Sequence, residues 1–234
     1  MSAPEEANSE PASVRDGQLR SGFTPILERF LGTCLGGVAV LLVDEEGEGV
    51  DLAAAQGAAR PSGFDIRVTG AHWQIVFRQV REQRETGLTE QLWVRAAGYD
   101  YVVVGLPYDY VLCIICRPGR LDDVSHRALR QAEVELCTEA GWTVPRPEQP
   151  CWRRVQIRTD RVGRPLEMRL DPDPAQWSGR FAEVDVVDGA TGRLERAYVA
   201  AKGPESGGRR LHLVRERSGF WYAREASRAF CGGV

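Results

Sequence analysis

Two six-residue runs, VAVLLV at 38–43 and VLCIIC at 111–116, constrain this chain more than any other feature. Each is apolar at every position, so each reads as a strand buried on both faces. Both are far too short to cross a bilayer. Helical patterns surround them. Phe23, Ile26, Leu27, Phe30, Leu31 and Cys34 fall on one helical stripe. Thr24 suits its N-cap, Pro25 its first helical position, and Gly36 and Gly37 its end. After VAVLLV, DEEGEG bends the chain and VDLAAAQ returns as a second strand. Residues 58–70 read as a loop. Residues 71–86 read as a second helix, with Trp73, Val76, Phe77 and Val80 facing inward and Gly87 as its stop. EQLWVRAAG, YDYVVVGLP and DYVLCIICRPG form an antiparallel meander. LDDVSHRALRQAEVELCTEAG is a third helix, capped by Asp122 or Asp123, with Val124, Ala128, Ala132, Leu136 and Ala140 inward. The order α-β-β-α-β-β-β-α closes at Trp142.

Composition sets the rest of the organisation. The 234 residues are 43% hydrophobic and 27% charged, ordinary for a globular chain that forms its core without staples. Residues 1–20 are polar, acidic and proline-bearing, and are expected to be a disordered tail rather than a signal peptide. The expected location is the cytoplasm. Residues 21–142 form the first domain. TVPRPEQP (143–150) carries three prolines and reads as a stiff linker. Residues 151–234 hold three probable hairpins, a small all-β module expected to be a twisted sheet or open barrel, ending in a frayed CGGV. The class is α+β. Charge is uneven, with net −8 over residues 1–150 and net +5 over 151–234.

Several motifs invite chemistry. The carboxylates of DEEGEG with Asp51 could hold a hard cation, but the spacing of a known calcium loop is missing. A hairpin bend needs only Gly47 and Gly49 at positive φ and acids at a solvated tip. Cys113 and Cys116 form a CxxC, yet on a strand residues three apart point to opposite faces, so they cannot share one ion. Both are expected to be buried structural thiols. Lys202 is the sole lysine and is followed by Gly, so the chain lacks the phosphate loop of a Walker-type GTPase. His72, His126 and His212 fall on different elements and read as exposed or capping residues. No catalytic, metal-binding or cofactor-binding residue is assigned.

Residues 22–142 resemble the Roadblock family of small-GTPase regulators. The resemblance rests on the amphipathic helix ending in GG before GVAVLLVDEEGEGVDLAAAQG. It rests too on the helix from His72 to Thr86 between strands two and three, and on the closing meander whose VLCIIC leads into a capped helix. It covers about half the chain and leaves out the β module. It implies a five-stranded antiparallel sheet with helices one and three on one side. It also implies homodimers through the second helix and third strand, and a small Ras-like GTPase, or a protein of its regulatory complex, as partner. In bacteria such proteins look like regulators of cell polarity or motility.

The expected dimer and partner surface comprises His72, Ile75, Arg78, Gln79 and Glu82 on the second helix, with Gln91 and Trp93 on the third strand. Arg78 and Arg81 also suit i,i+4 pairing with Glu82 and Glu85. The β module mixes arginine with Trp152, Trp177, Phe181, Tyr198, Phe220, Trp221 and Tyr222. Such rings could stack bases, but in short strands they read as core, and a nucleic-acid or membrane partner is not expected. The chain therefore reads as a non-enzymatic adaptor or regulator. The alternatives are a profilin-like small-ligand sensor and a nucleic-acid binder using the β module.

Overall fold

The computed structural model describes residues 21–56, 61–83, 89–147, 149, 151–170, 176–178, 181–187, 194–201, 210–216 and 218–225. The expected tail, Gly87, Lys202 and CGGV lie outside them. The first half contains α1 (Thr24–Leu31), β1 (Gly37–Val43), β2 (Gly49–Ala54), α2 (Gly63–Glu82), β3 (Gln91–Val94), β4 (Asp100–Gly105), β5 (Val111–Cys116) and α3 (His126–Glu139). The five strands form one antiparallel sheet in the order β2-β1-β5-β4-β3.

The two apolar runs sit side by side at the centre of that sheet, with Leu41 opposite Cys113 and Val40 opposite Ile114. Strand alternation sends their side chains to two cores. Val40, Leu42, Ile114 and Cys116 pack with Ile26, Leu27 and Phe30 of α1 and with Ala128, Leu129, Ala132 and Leu136 of α3. Leu41, Val43, Cys113 and Ile115 pack with Ile66 and Phe77 of α2. Cys113 and Cys116 thus lie on opposite faces, as their spacing requires. Burial pushes both thiols up to about 12.

The helix boundaries differ from expectation in instructive ways. α2 begins at Gly63, so residues 63–70 are helix rather than loop. Ser62 and Asp65 form a reciprocal capping box that starts it. Gly70 lets it press on the sheet: a Cβ there would lie 2.1 Å from Leu41 Cδ2 and 2.9 Å from Val43 Cγ2. The buried stripe of α2 is Ile66, Gly70, Gln74 and Phe77, while Trp73, Val76 and Val80 are only half-buried. α3 is capped by Ser125, whose Oγ accepts from Ala128 N at 3.1 Å. Asp122 and Asp123 belong instead to a short 3-10 turn before it. α1 ends at Leu31, and Thr24 does not cap it. The Thr24 hydroxyl donates to Asp51 at 2.6 Å and so ties the helix to β2.

The second half is a seven-stranded sheet. Its strands are β6 (Arg153–Thr159), β7 (Pro165–Leu170), β8 (Gln176–Ser178), β9 (Phe181–Val187), β10 (Leu194–Ala201), β11 (Arg210–Arg215) and β12 (Trp221–Glu225). The order is β8-β7-β6-β12-β11-β10-β9, antiparallel throughout. β8 was not foreseen from the sequence. Its two ends are joined by the chain itself: Ser178 and Phe181 are three residues apart, a reach of at most about 11 Å. The sheet must therefore curl until its edges nearly meet. Antiparallel alternation makes β8 and β9 run the same way, so the two act as one interrupted strand. That strand pairs first with β7 and then with β10, closing a six-strand circuit.

Val155, Met168, Tyr198, Leu211, Leu213, Trp221 and Ala223 fill the inside of the curl. Ala197, Val214 and Tyr222 face the other way and share the α1/α3 core with Trp152. Polar groups seal the junction. Glu216 accepts from Ser125 Oγ at 2.8 Å and pairs with Arg127 at 3.1 Å. The guanidinium groups of Arg127 and Arg224 both lie over the Trp152 ring, at 4.7 and 4.8 Å. The proline-rich 143–150 segment is pinned as well: Arg130 donates to the carbonyls of Pro145 and Arg146, each at 2.7 Å. Arg130 and Arg146 both pair with the buried Glu133.

Candidate functional site

A 20-residue helix can bury only the stripe that meets its sheet. α2 carries more apolar surface than that. Its outer stripe contains Phe64, Val68 and Ile75, exposed to 74%, 52% and 45%. At 100° per residue these three lie within about 40° of one another. His72, Gln79 and Glu82 fall on the same stripe and are exposed too. Arg78 is exposed on its flank. Arg81 reaches Asp109 of the β4–β5 turn at 3.4 Å; its expected partner Glu85 lies outside the described residues.

β3 ends the sheet: it pairs with β4, and no described strand pairs with its other edge. Such an edge offers a row of backbone donors and acceptors. Its side chains divide. Leu92 faces the α2 side, among Trp73 and Tyr101, whose rings lie 5.0 Å apart. Trp93 faces the other side, where its ring lies 4.5 Å from that of His126 and its Nε1 donates to Gln91 at 3.1 Å. The expected site is therefore not one patch. His72, Ile75, Gln79 and Glu82 share a stripe, whereas Gln91 and Trp93 sit across the sheet from it. Only the free edge of β3 is common to both.

Sequence reasoning missed Phe64 and Val68, the two most exposed apolar residues of α2. They lie in the stretch read as a loop. The available signal was Ser62-x-x-Asp65 with apolar residues at 64, 68 and 75.

The other motifs resolve into structure. In DEEGEG, one Asp44 oxygen accepts from Glu46 N and Glu48 N at 3.0 and 2.8 Å, and Gly47 takes φ +87°. The stretch is a hairpin bend. Gly49, expected at positive φ, instead makes room for Arg67 and Leu41. Asp51 turns inward, accepting from Thr24 and Ser21. His212 is buried rather than exposed; desolvation, then the nearby Arg224, lowers its pKa. Trp152, Tyr198, Trp221 and Tyr222 are buried too, so these rings serve the core.

Five antiparallel strands in this order, with α1 and α3 on one face and α2 on the other, make a Roadblock-like layer. A curled β-sheet is joined to its α3 side. No family model matches the chain, and no curated protein matches it. Among solved structures it is similar to MglC from Myxococcus xanthus, at 19% identity and TM-score 0.37, over 50% of this chain and 96% of that one. It is also similar to the gliding protein MglB from Thermus thermophilus, at 16% identity and TM-score 0.44, over 53% of this chain and 94% of that one. Likenesses of this size carry no activity across. The fold assignment rests on strand order and helix placement.

Proposed function

We propose that this chain is a non-enzymatic regulator that pairs with a second copy through α2 and the β3 edge and acts on a small Ras-like GTPase or its regulatory complex. The observation that carries the reading is the outer stripe of α2, where Phe64, Val68 and Ile75 stand exposed at helical spacing. A self-complementary contact needs only one such patch. The free edge of β3 extends it. The Roadblock resemblance supplies the partner class, with a role in polarity or motility. Regulation would come from binding one nucleotide state of the partner more tightly than the other, since equal affinity shifts nothing.

Two measurements test this. Light scattering should give a dimer for the wild type and a monomer for Ile75→Glu. Capture with the wild type should retain a small GTPase in one nucleotide state more than in the other. A wild type that stays monomeric at high concentration, with no nucleotide-dependent GTPase capture, overturns the proposal.

A further inference from the structure

The two ends of α3 carry opposite surfaces. At its N-terminal end, Glu216 binds Ser125 and Arg127 and so places the β11–β12 turn there. Arg215 leads into that turn, and its guanidinium lies within 3.4 Å of where a Gly163 Cβ would be. The tip of the β6–β7 hairpin is therefore at the same end. That tip is Arg161, Val162, Gly163 and Arg164. Val162 is 77% exposed, and Arg161, Arg164 and Arg215 are exposed around it. The nearby acids are already committed. Asp160 accepts from the backbone N–H of Val162 and Arg164 at 2.9 and 2.8 Å, and Glu167 pairs with Arg158. The tip is an apolar point inside a cationic collar.

At the other end of α3, about 21 Å away along a 14-residue helix, the Trp142 ring packs at a tilt of 58° against Tyr110 at 4.7 Å and Tyr108 at 6.0 Å. Tyr108 is 69% exposed. It and Asp109 hold φ +59° and +58°, the two left-handed positions of a turn that ordinarily takes Asn-Gly. Because β1 pairs with β5, the acidic β1–β2 tip lies beside this turn, and Glu45, Glu46 and Glu48 are exposed on it. This pole is aromatic and anionic.

We infer that the β6–β7 tip of one copy docks on the Tyr108–Trp142 face of another, setting arginine on aromatic rings and beside carboxylates. The two poles complement each other in charge and in apolar content, and both belong to the same chain. α2 meets this face through the Arg81–Asp109 pair, away from its outer apolar stripe, so the contact stands independently of the dimer proposed above. Guanidinium on an exposed ring is a weak contact, and exposed charges are screened beyond about 10 Å at 0.1 M salt. The association is therefore weak and salt-sensitive.

Sedimentation of the full chain over a concentration series tests it. The weight-average mass should be roughly twofold or more higher at about 50 mM than at about 500 mM salt. The doubly substituted Arg161→Glu/Arg164→Glu chain should lose that difference. Tyr108→Asn should lose it too, although asparagine suits the left-handed turn and keeps the hairpin. Each variant retains one intact pole, so mixing the two should restore association through a single contact. A wild-type mass that does not change with salt overturns the inference. So does a salt-dependent mass that survives in both variants.

Discussion

The two faces of the five-stranded sheet are covered to different depths. On one face α1 and α3 lie on the sheet, and the curled β-sheet lies beyond α3, so that Tyr222 and Val214 extend the same core. On the other face α2 is the one described element, with Phe64 three-quarters exposed. The sheet carries buried apolar residues on both sides, so the difference comes from what the described residues supply as a second cover. Among the described residues the chain supplies one for α3 and none for α2.

Alkaline titration should have the largest effect, because it loads both faces. Burial holds the thiols of Cys34, Cys113 and Cys116 and the hydroxyl of Tyr222 up at about 12. These groups stay neutral in the fold while the unfolded chain ionises. Their contribution is complete below the ordinary thiol value of 9.0 and is lost as pH rises toward about 12. Urea midpoints measured across that window should fall steadily.

Arg127→Ala sharpens the contrast by stripping the covered face. It removes an ionic partner of Glu216 and one of the two cations on Trp152. Breaking a buried pair of this kind costs about 3–5 kcal/mol. Urea unfolding should show that loss, with Trp152 fluorescence changing at lower denaturant.

Gly70→Ala tests the open face from beneath. Its methyl would meet Leu41 and Val43, both fully buried. Overpacking costs about 1–3 kcal/mol, less the roughly 1 kcal/mol that alanine returns to a helix. The melting temperature should drop by a few degrees.

Phe64→Ser should change least in the isolated chain, within about 0.5 kcal/mol, yet it should weaken self-association. A large loss of monomer stability instead would mean that the α2 face is not free, and the contrast between the faces would collapse.

Much of the layer was legible. Runs such as VAVLLV and VLCIIC need no context to be read as central strands. The first-half strands and the three hairpins of the second half fall close to their expected positions. Legibility failed where local signals compete. Gly63 and Gly70 look like loop residues, yet the first sits in the opening turn of a capped helix and the second is a contact point with the sheet. Asp122 and Asp123 resemble caps by residue type, but they form the turn before α3, and Ser125 caps the helix. β8 is three residues in a stretch rich in Asp and Pro, and its strand character comes from pairing with β7.

The sequence by itself determined the central strands and the inward stripes of α1 and α3, and that Cys113 and Cys116 point apart, because those follow from side-chain period within one segment. Only the tertiary structure decided that Trp93 and Ile75 lie on opposite sides of the sheet. It alone decided that Asp51 turns inward and that the curled sheet covers α3 and not α2. Those outcomes depend on which surfaces meet across long stretches of chain, and no local period records that.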